Sequence, residues 1–272
     1  MKTKLFLLAA LLAALDTAAL AGNGQPTLIG WNNLGMHCMD DDYSVFTILP
    51  PFNTIDAQFI DAAGKLMKSG AGITISFEAV PDPDGSINST AIGKTNFWDY
   101  VLPSYGAPIA TDAGLFGTHM PGATNTPQPM TFSATTNWFE ALGIPIAPVD
   151  DAGRRNTYPM MRLTAKNAAG TVLAKTDIVL PVSGEMDCHT CHGSGAGDAA
   201  KPAAGWVNDP QPSRDYRLNI LRLHDEKQLA DPVFQAALTI AGFRSDGLYA
   251  TATTGATPIL CAKCHSPSAR RP

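Results

Sequence analysis

Charge is scarce in this chain, and basic charge is scarcer: 16% of residues are charged, with 24 acids against 19 bases. No lysine- or arginine-rich stretch offers the basic face that nucleic acid requires. Long hydrophobic runs are missing beyond Leu20, so no later stretch is long and apolar enough to span a bilayer. Long apolar helices are few, while the 24 glycines and 21 prolines suit turn-rich β structure better than a helical bundle. Asp40, Asp41 and Asp42 form an acidic run without the spacing or the glycine of a calcium loop. No substrate-specific motif is present. Cysteine is rare as well, five residues in all, and their placement is the strongest signal in the sequence.

The first 21 residues read as a secretory signal. Lys2 and Lys4 supply a positive end, residues 5–15 a short apolar run, and Ala19-Leu20-Ala21 a small-x-small cleavage pattern. The run is too short for a transmembrane helix. No cysteine follows the expected cut, which argues against a lipid anchor. The mature chain is expected to be exported, in the periplasm, and large enough for one big domain or two modest ones.

Residues 22–182 read as a β-rich domain. Residues 27–31 and 46–49 are short strand candidates, the second stopped by Pro50-Pro51. Ile73, Ile75 and Phe77 alternate with Thr74 and Ser76, the period of a half-buried strand. Residues 81–85 form a turn cluster. The clearest hairpin runs through residues 158–166 and 171–180, with Asn167 and Gly170 at the bend. Short strands between turn signals predict a β-sandwich-like fold. Phe97, Trp98, Trp138 and Phe139 are assigned to its core.

Four of the five cysteines fall in two copies of one motif: Cys188-His189-Thr190-Cys191-His192 and Cys261-Ala262-Lys263-Cys264-His265. Cys-x-x-Cys-His is the attachment signature of c-type haem. Two thiols bond to the porphyrin vinyl groups, and the next histidine lies under the iron as proximal ligand. A zinc site of four thiolates is the alternative, although it needs no histidine after each second cysteine. A redox-active pair would need a strand-to-helix setting, which is not visible. From residue 186 onward the chain resembles the multihaem, here dihaem, c-type cytochromes. The resemblance implies two covalent haem c groups, on Cys188 and Cys191 and on Cys261 and Cys264. It implies proximal iron ligation by His192 and His265, and one-electron transfer. It also agrees with export, since haem of this type is attached outside the cytoplasm.

Candidates for the distal ligands are His224, His189, His37 and His119. His224 leads, because residues 213–229 form the best helix pattern and His224 shares a flank with Leu221; Ser213 is its expected cap. The alternative is a helix-surface histidine paired with Asp225 or Glu226. His189 stands beside the proximal position of its own motif, where the resemblance allows it to ligate a neighbouring haem. His37 lies in Met36-His37-Cys38-Met39, where Met36 or Cys38 could also serve; the alternative is a buried turn followed by a solvated aspartate loop. His119, between glycines and a proline, also reads as a surface histidine. Arg154 and Arg155 suit haem propionates or solvent equally.

The expected architecture is a mainly β, sandwich-like domain (22–182) followed by a small loop-and-helix dihaem domain (183–272) that needs its haem to fold. Pro232 opens a second short helix there. Chain termination soon after His265 suits either dimerisation at that end or a fragment of a longer multihaem protein. Expected partners are redox proteins, other cytochromes or further copies of the chain, with acidic charge steering it toward positive surfaces. A haem oxidoreductase with one open iron (a peroxidase, or one acting on sulfur or nitrogen compounds) and a subunit of a conducting assembly are the other readings.

Overall fold

The computed structural model describes residues 24–114, 116–184 and 188–265. The expected export signal, the end of the 183–187 hinge and the tail after His265 lie outside them. The described chain is mainly β, with helices concentrated toward its C-terminal end. None of these helices is long and apolar enough to cross a membrane.

Two four-stranded antiparallel sheets enclose one core. The first orders β1 (Thr27–Asn32), β4 (Phe52–Ile60), β8 (Trp138–Pro145) and β7 (Thr131–Ser133). The second orders β10 (Val172–Val179), β9 (Met160–Asn167), β5 (Ile73–Val80) and β6 (Gln128–Pro129). Ile55, Ala57 and Phe139 from the first sheet meet Phe77, Met161 and Leu163 from the second. The alternation in β5 is as the sequence predicts, with Ile75 and Phe77 buried. Gly30 of β1 lies against the opposite sheet. A side chain there would run into Leu163 and Ile178 of the opposite sheet, so only glycine fits without repacking. The β9–β10 bend is held by the Asn167 side chain, which accepts from the amides of Ala169 and Thr171. Gly170 takes the left-handed conformation there, at φ 82°.

Helix α1 (Phe97–Tyr105) was not legible as a helix. Its buried Phe97 meets Tyr43 and Phe52 edge to face, each with ring centres 5.1 Å apart. Phe97 and Phe139 are core residues, as expected, whereas Trp98 and Trp138 are half-buried.

A second, smaller core belongs to the C-terminal helices α3 (Pro212–Gln228), α4 (Pro232–Ala241) and α5 (Leu248–Thr253), which follow the single turn α2 (His189–His192). Leu218, Leu221, Leu238, Phe243 and Leu248 build it. Val45 and Phe46 complete it from the other end of the sequence, so the two cores interlock across the boundary drawn at residue 182. Ser213 is not the cap of α3. Gln211 holds that position, Pro212 opens the helix, and the Ser213 hydroxyl donates instead to Asp42, at 2.9 Å.

On the first sheet Asp56 stands opposite Glu140. Burial, with Glu140 adding to it, pushes the Asp56 carboxyl up to about 6. A carboxyl raised on folding stabilises the protein below its unfolded value near 4 and loses that contribution as pH climbs through 6. Stability should therefore fall between about pH 4 and pH 6.5 by about 1 kcal/mol on account of this pair, solvent screening included. Asp56→Asn should flatten that segment of a urea-denaturation pH profile.

Candidate haem sites

One stretch, residues 37–47, is tied to both cysteine motifs. Strand β2 (His37–Met39) pairs in parallel with β11 (Val182–Gly184), just ahead of Cys188. Strand β3 (Phe46–Thr47) pairs in parallel with β12 (Ile259–Leu260), immediately ahead of Cys261. The amide of His37 donates to the Pro181 carbonyl at 3.1 Å, and that of Ile259 to the Val45 carbonyl at 2.9 Å. The aspartates between these strands are not a solvated loop. Asp40 and Asp42 are buried. Asp40 accepts from the amides of Ile48 (2.7 Å) and Leu49 (3.2 Å). Asp42 accepts from the Ser44 amide and the Asn96 side chain, each at 2.8 Å, and from Ser213 at the start of α3. A buried carboxylate keeps its charge only where several donors converge on it, which is what fixes this stretch.

The two motifs adopt the same turn. The amides of Cys191 and His192 donate to the Cys188 carbonyl at 3.2 and 2.9 Å; those of Cys264 and His265 donate to the Cys261 carbonyl at 3.2 and 3.0 Å. One helical turn puts residues i, i+3 and i+4 on one side, so both thiols and the imidazole of each motif share a face. All five cysteines are free thiols. Among the described residues, no group of three or more His, Cys, Asp or Glu is placed to hold a metal ion, so the four thiols do not meet in one tetrahedral shell.

The second motif opens onto a cavity of about 400 Å³. Phe46, Leu221, Phe234, Phe243 and Ile259 wall it, and Cys261, Cys264, His265 and His224 all reach it. The rings of His224 and His265 meet edge to face, with centroids 6.4 Å apart and planes 78° apart. Nδ1 of His224 is buried without a hydrogen-bond partner. Burial lowers its pKa, and the like charge of a protonated His265 acts the same way against the opposing pull of Asp225. The ring is thus held neutral, the form that binds a metal. Two thiols and two imidazoles on one largely apolar cavity are a donor set that fits a haem group. Asp225 does not pair with His224 as a surface ion pair. Its carboxylate turns to the amides of Leu248 (2.9 Å) and Tyr249 (2.8 Å), locking α3 onto α5. Burial, and next the nearby Asp40, pushes the Cys261 thiol up to about 12.

The first motif is held from the side by α3. Asp215, buried, accepts from the Ser194 amide and hydroxyl, both at 2.7 Å, and from the Asp209 amide at 2.9 Å. Asn219, fully buried, donates to the His192 carbonyl at 3.0 Å and accepts from the Val207 amide at 2.8 Å. His192 is half-buried, its pKa lowered by burial, and its Nδ1 is buried without a partner. That orphaned nitrogen fits a ring meant for a metal rather than for a hydrogen-bond network. His189 turns its ring edge-on to Tyr216, centroids 6.1 Å apart. Gly193 is required beside it, since a Cβ there would lie 2.8 Å from the His189 carbonyl oxygen.

The remaining sequence candidates lie in the β part. His37 Nε2 donates to the Pro50 carbonyl at 2.8 Å, and burial lowers its pKa. Cys38 is half-buried within β2, and Met36 is exposed. His119 is exposed in a loop bridged to Ala113. Arg154 is ion-paired with the buried Asp150 at 2.7 Å. Sequence reasoning passed over Asp215 and Asn219; the available signal was their i, i+4 spacing on a helix flank otherwise read for its leucines. Compared with family models, curated proteins and solved structures, the chain matches none.

Removing the Asp215 carboxylate leaves several partly buried donors without that acceptor, at a cost of about 1–2 kcal/mol. Asp215→Ala should speed amide hydrogen exchange at Ser194 and Asp209 while leaving the protection of β5 and β9 intact. Unchanged exchange at those two amides would show that Asp215 does not hold the first motif.

Proposed function

We propose that this chain is an exported dihaem c-type cytochrome that carries single electrons between redox partners. The observation that carries the reading is one apolar cavity lined by His224, His265, Cys261 and Cys264 together, the two imidazoles in edge-to-face contact. When bound, haem supplies reversible one-electron chemistry between ferrous and ferric iron.

The chain's own residues do the rest. Cys261 and Cys264 would tether the second group, and His265 and His224 would supply imidazoles to its iron. Phe46, Leu221 and Phe234 keep water away from it. Bis-imidazole coordination lowers the reduction potential relative to His/Met coordination. At the first site Cys188, Cys191 and His192 play the corresponding roles, with Asn219 fixing the backbone carbonyl of His192. The excess of acids over bases steers the protein toward positively charged partner surfaces. A second reading, a haem oxidoreductase with one open iron, attaches to the first site alone. There the His189 ring is packed against Tyr216, and the His37 ring is bonded to Pro50.

Optical and paramagnetic resonance spectra test both. His224→Ala should convert one low-spin haem of the two to high spin while both haems stay attached. An unchanged spectrum would remove His224 from the iron. A high-spin haem already present in the unaltered protein would favour the oxidoreductase.

A further inference from the structure

His224 reaches the second cavity with no hydrogen bond of its own to aim it. A histidine that serves a metal is ordinarily oriented by a hydrogen bond at its far ring nitrogen. Nδ1 of His224 is buried without one, and its ring contacts are Phe234, with centroids 5.1 Å apart, and His265. The direction of the imidazole therefore depends on how α3 is turned about its own axis. Asp225 fixes that turn. Each residue along a helix is rotated by about 100° from the last, so anchoring residue 225 decides where residue 224 points. Helix α5 begins at Gly247, which has no side chain to cap it. The buried Asp225 supplies the missing acceptors from α3: Oδ1 accepts from the Leu248 amide at 2.9 Å and Oδ2 from the Tyr249 amide at 2.8 Å. Gly247 makes room for the carboxylate. It stands at φ 113°, and a Cβ there would lie 2.6 Å from the carboxylate carbon. Arg222 strengthens the same contact by donating to the Tyr249 hydroxyl at 2.8 Å. Leu221, His224 and Gln228 are left lining the cavity.

We propose that Asp225 is the positioning residue that keeps the second iron closed: by clamping α3 to the start of α5 it holds His224 on that iron and denies the position to outside ligands. The proposal rests on reading the second motif as a haem site with His224 as a ligand. It decides which chemistry that site can perform. An iron with both axial positions taken is limited to exchanging electrons, whereas one with a vacant position binds small molecules and reacts with them. The α3–α5 contact thus separates an electron carrier from a ligand-binding haem protein, although neither Asp225 nor Gly247 touches the iron.

Carbon monoxide uptake by the reduced, haem-loaded, exported protein is the test, because carbon monoxide binds ferrous haem only where an axial position is free. Intact mass is recorded for every variant, so that only chains holding two haems are compared. Asp225→Ala should bind one more carbon monoxide per chain than the unaltered protein. Gly247→Ala leaves Asp225 in place but crowds its carboxylate, and should show the same gain; it carries the test if Asp225→Ala does not accumulate folded. A role confined to stability would lower the denaturation midpoint of these variants and leave uptake by the folded, loaded protein unchanged, and that result would overturn the proposal. His224→Ala separates the proposal from the reading beneath it. No gain in His224→Ala would remove His224 from the iron and sink that reading. A gain in His224→Ala with none in Asp225→Ala or Gly247→Ala would sink the positioning role alone.

Discussion

Two short parallel strand pairs, made by opposite ends of residues 37–47, hold the whole arrangement in register. One pair ends at Gly184, in the chain ahead of Cys188, and the other at Leu260, directly before Cys261, so a single stretch is paired to the chain leading to both motifs. Short parallel pairs contribute little by themselves, because few backbone bonds form for each residue ordered. What makes them dependable is the packing around them. Asp40 and Asp42 gather donors from the stretch itself, from Asn96 ahead of α1 and from Ser213 at the start of α3. Val45 and Phe46 are buried in the helical core. The sandwich thus acts as a foundation to which the C-terminal segment is fastened at two points.

The two motifs are supported by different chemistry. Around the first, a polar network of Ser194, Asp215 and Asn219 satisfies the backbone of a loop with few apolar contacts. Around the second, apolar side chains leave a cavity, and the polar atoms that reach it belong largely to histidines and cysteines. A small helical core that stops short of filling its own interior is the expected design where a large apolar cofactor completes it. Arg217 stands where these two environments meet. Its guanidinium lies over the rings of both Tyr216 and Phe46.

Much of the β part was legible because local patterns decide it. The alternation of Ile75 and Phe77, and the Asn167 and Gly170 bend, depend on near neighbours alone. Helix α4 was legible from Pro232, although its cap, Asp231, accepting from the Val233 amide, was not named. The pairing of β2 and β3 with segments far along the chain was not legible, since strands of two or three residues carry no period. Helix α1 was hidden for a related reason: Phe97, Trp98 and Tyr100 suit a strand as well as a helix, and Pro103 lies inside it. The site residues divide in the same way. Both cysteine motifs and the flank position of His224 can be read from spacing. The roles of Asp40, Asp42, Asp215 and Asn219 cannot, because a buried polar residue is recognisable only once its partners are in place.

The central claim is covalent: four sulfurs, in two identical turns, each pair bonded to one porphyrin. Intact mass spectrometry under denaturing conditions addresses it directly, using protein exported from a host that matures c-type cytochromes. The account predicts a mass equal to the processed polypeptide plus two haems, falling to one haem when Cys261 and Cys264 are both replaced by serine. A colourless protein at the bare polypeptide mass, with zinc on its thiols or none, would contradict it.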